Sequence, residues 1–404
     1  MLLVYVLMKP FPPIDRLSYL YSRRDRKMAR SPHAYVRGNT LLFYEWLEES
    51  LSARTLPKGP PIWICGDCHL GNLGPLADDD GKVAIQIRDL DQAVIGNPAH
   101  DLIRLGLSLA TAARGSNLPG IVTARMIEAM IEGYERAFVD HSPDELAQPE
   151  PDIVRIVRRR AIGRKWRHLA KERLEDVEPS IPFGKRFWPL NEADYAALRN
   201  VIAHPPVSTM VLALNGRGDD ITAAMVDAAY WMKGCSSLGL WRFAAIVATK
   251  GKSRSNHCLI DLKEAVEPIA PSAPNAKMPA VPAERVLAAA KALSPNLGER
   301  MAAASLLGRS MFVRELMPQD LKIEVEQFSH DEALKAARYL AFVVGKAHGR
   351  QMDAETKQGW LDILRYDRSE SLDAPSWLWR AVVDLAARHE AGYLDHCRIY
   401  AQAT

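Results

Sequence analysis

The sequence predicts an α+β protein, and three observations support that fold class. Two stretches rich in β-forming residues are separated by a helical block and followed by further helices. The chain has 404 residues, enough at roughly 150 residues per domain for two or three domains with substantial cores. Hydrophobic residues make up 48% of the chain, which excludes wholesale disorder.

The charge balance and the cysteines restrict the function. Lysine and arginine total 52 against 49 aspartate and glutamate, so the chain lacks the cationic excess on which dedicated nucleic-acid binders depend. No apolar run approaches the ~20 residues that span a bilayer. The five cysteines are odd in number and scattered, which argues against a disulfide framework and favours a reducing cytoplasm. We expect neither a membrane nor a nucleic acid as partner.

The first eight residues are apolar, as in a signal peptide. They lack a basic region before the apolar run and a small-residue cleavage site after it. We therefore expect residues 1–8 to belong to the mature chain, as a strand.

The first β-rich stretch follows Pro60 and Pro61. Residues 62–64 and 83–87 are short apolar runs, and Asp80-Gly81 between them is typical of a hairpin turn. From Pro98 onward the apolar spacing becomes helical, with Asp101 before a run of leucines. Further helices are predicted over residues 40–51, 123–139, 192–202 and 221–232.

The second β-rich stretch is predicted over residues 231–264. Five prolines between residues 268 and 282 then exclude a continuous helix or a central strand. An apolar strand is expected at residues 310–316. The chain from about residue 331 to its end has a helical pattern.

The most unusual residues of the first stretch lie in Cys65-Gly-Asp-Cys-His-Leu-Gly-Asn72. The spacing Cys-x-x-Cys-His is that of haem attachment, which would require an export signal. A zinc site lacks a second ligand pair, and a redox pair should open a helix, which Gly71 and Pro75 oppose. Gly-Asp-x-His also occurs in metallophosphoesterases. The Gly-Asp-x-x-Asp and Gly-Asn-His segments of those enzymes are missing, so they are a distant alternative.

Phosphoryl transfer uses more of these residues than any rival chemistry. Such an enzyme orients a hydroxyl with a carboxylate and holds Mg²⁺ against the phosphates of a nucleotide. Kinase-type catalytic loops place the base Asp five residues before a metal-binding Asn, and Asp67 and Asn72 have that separation. Asp89 follows the next predicted strand, where a second metal-binding Asp is required, and Asp91 is a further candidate metal ligand.

These residues resemble the catalytic loop of the aminoglycoside- and choline-kinase-like phosphotransferases, usually His-Gly-Asp-x-His-x-x-Asn. Residues 88–102 are similar to the Ile-Asp-(Phe/Trp)-x-x-Ala, Gly-Asp-Pro and Asp-Leu stretch of those enzymes. The resemblance implies ATP and Mg²⁺ as cofactors, with Asp67 as the base and Asn72 and Asp89 as metal ligands. It also implies that Asp101 is a structural residue that caps a helix.

Two residues depart from that pattern. Cys65 stands where those enzymes often have His, and Arg88 stands where they have Ile. Neither departure removes a group to which the resemblance assigns a catalytic role.

A second resemblance covers most of the chain and is to the bacterial "domain of unknown function 2252" family. The Arg-Gly signature of that family, which follows an aromatic pair, is similar to residues 35–38, where Val36 replaces one aromatic. Three further signatures match residues 66–74, 89–91 and 101–108, and a Lys-Glu-Ala matches residues 263–265. The activity of that family is not established, so this resemblance implies a family and no reaction.

A loop over the phosphates and a phosphate-binding Lys are expected in the second β-rich stretch. Gly234, Ser236, Ser237 and Gly239 belong to a small-residue turn whose backbone N–H groups can approach phosphate closely. An ordinary hairpin turn with glycines at positive φ is the alternative interpretation. Lys263 ends an apolar strand, resembling the phosphate-binding Lys on the third strand of the small lobe of kinases.

A helical Glu is expected to pair with Lys263. Glu284, which opens a predicted helix over residues 283–293, and Glu299 are both candidates, and the sequence does not separate them. The strand at residues 311–316 is expected to lead to a hinge, where backbone groups would meet adenine.

The order of these motifs is unusual, because in ordinary kinases the glycine loop and the Lys precede the catalytic loop. We therefore predict a two-lobed, protein-kinase-like fold in circularly permuted order, which is tolerable because chain termini often lie close together. The larger helical lobe is expected from residues 1–230, the smaller nucleotide-binding lobe from 231–325, and helices returning to the larger lobe from 326–404. A separation above ~15 Å between Lys263 and Asp89 would exclude this arrangement, because both must reach one triphosphate.

The expected function is that of an ATP- and Mg²⁺-dependent phosphotransferase acting on a hydroxyl of a small molecule, with protein as another acceptor. Alternatives are a nucleotide-binding regulatory module of pseudokinase type and a kinase-like enzyme that transfers AMP. Asp67, Asn72, Asp89 and Lys263 together argue against a module without catalysis. The basic residues 155–173 leave three interpretations open, namely a solvated helix, a surface for an anionic substrate and a nucleic-acid surface.

Overall fold

The computed structural model describes residues 15–78, 80–139, 150–175, 179–214, 222–250, 255–323, 329–366, 368–369 and 372–400. Its helices are α1 Arg16–Met28, α2 Pro32–Gly38, α3 Thr40–Glu49, α4 Leu51–Arg54, α5 Pro98–Gly115, α6 Gly120–Arg136, α7 Asp152–Ala161, α8 Trp166–Leu174, α9 Glu192–Ala203, α10 Val207–Ala213, α11 Pro282–Leu293, α12 Pro295–Gly298, α13 His330–Gly349, α14 Ala354–Arg365 and α15 Ser376–Tyr400. Its strands are β1 Ile62–Ile64, β2 Leu73–Ala77, β3 Val83–Ile87, β4 Val94–Gly96, β5 Phe187–Trp188, β6 Thr222–Trp231, β7 Arg242–Lys250, β8 Ser255–Glu264, β9 Met301–Leu306, β10 Arg309–Leu316, β11 Arg368–Ser369 and β12 Leu372–Pro375.

The largest sheet has six antiparallel strands in the order β5-β6-β7-β8-β10-β9. Side chains alternate between the two faces of a sheet along each strand. On β8, Ile260 and Leu262 pack with α9 and α10 on one face, whereas Leu259 packs with α8 on the other. Lys263 therefore shares the face of Leu259.

A second core lies among helices from distant parts of the chain. α13 and α15, late in the sequence, pack against α6 and α5, and α2 packs against both α5 and α15. α13 approaches α6 so closely that a Cβ at Gly133 would lie 2.0 Å from the carbonyl oxygen of Arg338. A side chain there would force the two helices apart, so glycine is required.

Two short strand pairs form sheets of their own and pack against helices. β2 pairs with β3 in an antiparallel hairpin around the Asp80-Gly81 turn, and β1 pairs with β4. The sequence identified the turn but not β2, which contains Pro75 and joins the candidate catalytic loop directly. The hairpin carries the chain from Asn72 to Asp89.

Most of the predicted elements are confirmed. The helices expected at residues 40–51, 123–139 and 192–202 are α3, α6 and α9, and the strand expected at residues 310–316 is β10. The proline-rich segment between β8 and α11 contains no helix or strand. The strand expected at residues 1–8 lies outside the described residues. Within the described ranges, no helix has the length and apolar character needed to cross a bilayer.

The helix expected over residues 221–232 is wrong, because Thr222–Trp231 forms β6. This segment is rich in alanine, which has the highest helix propensity of the residues. Pairing with β7 along its length and with β5 at its end overrides that propensity. The six-stranded sheet consequently begins earlier in the sequence than the β-rich pattern indicated.

Candidate active site

The candidate catalytic loop begins with a backbone turn that requires glycine. Gly66 has φ of +72°, and a Cβ on it would lie 2.2 Å from the carbonyl oxygen of Gln92. The backbone N–H groups of Cys65 and Gly66 donate to the carboxylate of Asp101 at 2.7 and 2.9 Å. The hydroxyl of Tyr44 donates to the carbonyl of Gly66. Hydrogen bonds to both the N–H groups and the carbonyl group of this turn thus fix its conformation.

One face of α5 supports the whole loop. Asp101, Arg104 and Ser108 lie on the same side of this helix because they are three and seven residues apart. Arg104 donates from Nε to Oδ1 of Asp67 at 2.9 Å, and the Leu70 N–H donates to the Ser108 hydroxyl at 3.1 Å. Arg104 is fully buried and also donates to the carbonyl of Val36.

Asp101 is structural, as expected, but it is not the helix cap. Asn97 is the N-cap residue of α5 and accepts from the Ala99 N–H. The second polar contact of Asp101 is with Nε2 of His348 on α13, at 3.1 Å. His348 in turn contacts the Tyr134 hydroxyl at 2.7 Å. This buried chain links the loop to the helices from the end of the sequence.

Asp67 is held in an environment suited to a base. Its side chain is only 13% exposed, and Oδ2 lies 3.8 Å from Nε2 of His69. Burial raises the pKa of the Asp67 carboxyl, and the Arg104 guanidinium opposes that rise. Burial also lowers the pKa of His69 well below its ordinary value, so the imidazole is neutral near pH 7.

Asn72 and Asp89 flank the β2–β3 hairpin. Asn72 donates from Nδ2 to the carbonyl of Asp67 at 2.9 Å, which leaves its amide oxygen as the acceptor available to a ligand. The Arg88 N–H donates to the carbonyl of Asn72 at 2.7 Å and closes the hairpin next to Asp89. The Asp89 side chain is 46% exposed.

The Asp89 carboxyl group is ionised near neutral pH, as a ligand of a metal cation must be. Burial disfavours its carboxylate, but the cations Lys263, Arg314 and Arg242 outweigh burial and lower the pKa of Asp89 to about 2. Carboxylate and amide oxygens are the ligands that Mg²⁺ prefers, and Mg²⁺ uses one or two protein carboxylates at such sites. Asn72 and Asp89 therefore fit this ion. Among the described residues, no group of three or more His, Cys, Asp and Glu side chains is arranged to hold a metal.

Lys263 extends from the sheet to the loop after β3. Its Nζ lies 3.6 Å from Oδ1 of Asp89 and contacts Oδ2 of Asp91 directly. Lys263 is 3% exposed, and burial lowers its pKa. Oδ1 of Asp91 is buried and has no hydrogen-bond partner within the described chain.

The Glu expected beside Lys263 is not found at either candidate position. Glu284, on α11, and Glu299, which follows α12, are both exposed on the surface. The ion pairs of Lys263 in the described residues are with Asp89 and Asp91 instead. A Glu was expected by resemblance, whereas the carboxylates that pair with Lys263 are themselves the candidate metal ligands Asp89 and Asp91.

The small-residue turn connects β6 and β7. Gly234 and Gly239 both have φ of +113°, where a side chain would be strained. Lys27 on α1 donates to the carbonyl of Gly234 at 2.6 Å. Ser236 and Ser237 lie in the same cleft as Asp67, Asn72 and Asp89. The structure thus brings the candidate phosphate loop and the candidate catalytic loop to one cleft.

The cleft contains two cavities that share Asp67, Asn72 and Asp89 in their walls. The first, the basic cavity, has a volume of about 560 Å³. Its described lining includes the cations Arg23, Lys27, Arg30, Arg37, Arg88, Arg173, Arg186, Lys233, Arg242, Arg314 and Lys322, with four carboxylates. The second, the acidic cavity, has a volume of about 530 Å³, and its described lining includes six carboxylates and a single Lys or Arg, Arg24.

A buried ion cluster in the sheet forms one wall of the basic cavity. Asp261 is 1% exposed and accepts from Nε of Arg242 at 2.8 Å and from Nη2 of Arg314 at 3.2 Å. Lys233 lies 3.8 Å from the same carboxylate. These three cations around one anion give the wall an excess of positive charge. The sequence feature that indicates this cluster is the charged Asp261 within the apolar run Leu259–Leu262.

Part of the basic segment at residues 155–173 also belongs to this cleft. Arg164 donates to the carbonyl of Pro318, just after β10, at 2.5 Å. Arg173 on α8 lines the basic cavity. The segment is therefore more than a solvated helix.

Arg104 is the site residue for which the sequence gave no role. It lies within residues 101–108, which match a family signature, but its contact with Asp67 depends on how α5 packs under the loop. A buried Arg at a leucine-rich helical face is the signal that points to a fixed anionic partner.

A family model described as "Uncharacterized protein conserved in bacteria (DUF2252)" matches residues 16–399. No curated protein and no solved structure matches the chain. The match covers nearly the whole chain, including the candidate catalytic loop, Lys263 and all but the last residue of α15. The protein therefore belongs to the bacterial DUF2252 family.

Proposed function

We propose that this protein is an ATP- and Mg²⁺-dependent phosphotransferase with a circularly permuted, kinase-like two-lobed fold. The observation that carries the proposal is the position of Lys263, 3.6 Å from Asp89 and far from it in sequence. This distance is well within the ~15 Å that one triphosphate allows. Asp67 and Asn72 line the same cleft.

Each candidate site residue has a role in this proposal that follows from its surroundings. Asp67 accepts the proton of the attacking hydroxyl, because its buried carboxylate has a raised pKa and keeps one oxygen free of Arg104. Arg104 fixes the orientation of that carboxylate. Asn72 and Asp89 would hold Mg²⁺, which neutralises charge on the transferring phosphoryl group.

The sheet supplies the nucleotide-binding groups in the order that the kinase resemblance implies. The small-residue turn lies between β6 and β7, Lys263 lies on the next strand, and α11 follows. β10 then leads to Met317, which lines the basic cavity. We infer that the triphosphate lies between the turn and Lys263, with adenine near the end of β10.

The packing of the chain ends supports the permuted order. α2 and α15 come from opposite ends of the described chain and contact each other and α5. α13 reaches the catalytic loop through His348 and Asp101. Helices that precede the sheet in sequence and helices that follow it thus pack into one helical body, as a circularly permuted kinase requires.

Transfer of labelled phosphate tests the proposal directly. The protein is incubated with Mg²⁺ and ATP labelled at the γ- or α-phosphate, together with mixtures of small hydroxyl compounds. We expect γ-label in an acceptor, no transfer of α-label, and loss of transfer in Asp67→Asn. Transfer of α-label would indicate AMP transfer instead, and binding of ATP without transfer to any acceptor would indicate a regulatory module.

A further inference from the structure

The basic cavity contains a cluster of four cations beside the candidate catalytic loop. Arg37 on α2, Arg88 after β3, Arg173 on α8 and Lys322 after β10 come from four separate parts of the chain. Arg37 lies against the loop itself, since a Cβ at Gly71 would be 3.0 Å from its Nε. The cluster and Asp67 line one cavity.

The four cations are close enough to repel one another. Burial, together with charge repulsion from Arg37, Arg88 and Arg173, lowers the pKa of Lys322 to about 8. Like charges brought together in a part-buried site are unfavourable unless an anion compensates them. The fold nevertheless assembles them from distant segments.

The described chain compensates this positive charge only in part. Arg37 and Lys322 have no ion pair with any described residue, and Arg88 donates from Nη2 to a backbone carbonyl, that of Asp320, at 3.1 Å. Arg173 pairs with Glu172 at 3.0 Å. The Nε atoms of Arg37, Arg88 and Arg173 are buried without a hydrogen-bond partner in the described residues. The described residues therefore leave part of the hydrogen-bonding capacity of the cluster unsatisfied.

The cluster comes from other elements of the fold than the groups assigned to the nucleotide, although the small-residue turn lines the same basic cavity. Lys263 and the turn that contains Gly234 belong to the sheet, whereas Arg37 packs on the catalytic loop at Gly71. A second phosphate-bearing ligand held there would present its hydroxyl toward Asp67. Beyond its one ion pair with a described carboxylate, the cluster keeps an excess of positive charge that a phosphate dianion can offset.

We propose that Arg37, Arg88, Arg173 and Lys322 bind a phosphate monoester group of the acceptor, which is therefore a phosphorylated alcohol. This assignment rests on the proposed phosphotransferase function. In the reaction, the acceptor hydroxyl oxygen bonds to the γ-phosphorus, the bond to the β–γ bridging oxygen breaks, ADP leaves, and Asp67 takes the hydroxyl proton.

Inorganic phosphate is the probe that tests the cluster. Thermal unfolding is followed at constant ionic strength with increasing phosphate, with and without Mg²⁺ and a non-hydrolysable ATP analogue. The variants are Arg37→Gln, Lys322→Gln and the control Arg159→Gln, an exposed position on α7 outside both cavity linings. We expect phosphate to stabilise the nucleotide-loaded protein. The Kd for phosphate should rise at least about tenfold in Arg37→Gln and Lys322→Gln. It should stay unchanged in the control.

The other outcomes overturn the assignment in distinguishable ways. Stabilisation by phosphate that disappears with the nucleotide analogue would show that the cluster binds phosphates of the nucleotide. An equal response in Arg37→Gln and Arg159→Gln, or none in the unmodified protein, would remove the anion site. A phosphate response without any nucleotide response would contradict the phosphotransferase and the acceptor assignment, while the anion site itself would stand.

Discussion

At the scale of single residues, Asp67 has the most informative environment. Burial raises its pKa, while the Arg104 guanidinium, bonded to Oδ1, lowers it. The second oxygen faces the cleft near a neutral His69. A carboxylate that is oriented but not fully neutralised by its partner is suited to accept a proton from a hydroxyl.

Replacing Asp67 tests its role as base. Asp67→Asn keeps the shape of the side chain and removes the proton acceptor, so turnover should fall on the order of 10²–10⁴-fold. Binding of Mg²⁺ and ATP should persist, because Asn72, Asp89 and Lys263 are unchanged. Turnover equal to that of the unmodified protein would refute the assignment.

The pH dependence of turnover tests the contribution of Arg104. A base must be unprotonated, so the activity of the proposed enzyme should decline as pH falls through the raised pKa of Asp67. Arg104→Gln removes a cation that lowers this pKa, so the acid limb of kcat/KM should move to higher pH. Arg114→Gln, at an exposed position on the same helix, should leave the limb in place. A shift to lower pH in Arg104→Gln would contradict this account.

At the scale of secondary-structure elements, α5 supports the candidate catalytic loop. Asp101, Arg104 and Ser108 contact successive parts of the loop from one helical face. The sequence identified this helix and its leading Asp from the apolar spacing. It did not show that Asn97 is the cap. Asn and Asp are both favoured at a helix start, so the residue type alone does not tell a side chain that caps the helix from one that contacts a loop.

The stability of the protein should depend strongly on Asp101. Asp101→Ala leaves the buried N–H groups of Cys65 and Gly66 without acceptors. Each unsatisfied N–H group costs about 1–3 kcal/mol, and the alanine side chain offers no other acceptor. We expect the free energy of unfolding to fall by about 2–6 kcal/mol in denaturant titrations. Asp395→Ala, at a position whose side chain is 73% exposed, is the control. Equal stability of the two variants would show that the loop is held by other contacts.

The ion cluster on β8 makes a separate prediction about the sheet. Asp261→Asn leaves Arg242, Arg314 and Lys233 without their buried anion, which should cost about 3–5 kcal/mol near neutral pH. These cations hold the pKa of Asp261 below its ordinary value, so its stabilisation is present above the unfolded pKa and is lost as pH falls. The stability difference between the two proteins should therefore shrink in acid. A constant difference across pH would contradict this origin.

Secondary structure was predictable where local pattern and tertiary pairing agree. The proline-rich segment before α11, the strand β10 and the helices α3, α6 and α9 follow from patterns within a short window. β6 was predicted as a helix because its alanines favour one, and its pairing with β7 depends on residues outside that window. β2 was missed because it is short and contains a proline.

At the scale of the whole molecule, the site depends on segments far apart in sequence. The sequence pattern indicated Lys263, Asp89, Asn72 and Asp67 one by one, from loop spacing and strand ends. That Lys263 pairs with Asp91, and that Arg37 and Lys322 face one cavity, follows from long-range packing that no local pattern encodes. The kinase-like order of the elements is therefore a claim about the assembled molecule.

Thermal unfolding with and without Mg²⁺ and ATP tests that claim most directly. Ligand at about 100 times its Kd should stabilise the unmodified protein by about 2.7 kcal/mol. The shift should shrink in Asp89→Asn and remain in Asp395→Asn, an exposed position on α15. No shift in the unmodified protein, or an equal shift in both variants, would contradict a nucleotide site built from Lys263, Asn72 and Asp89.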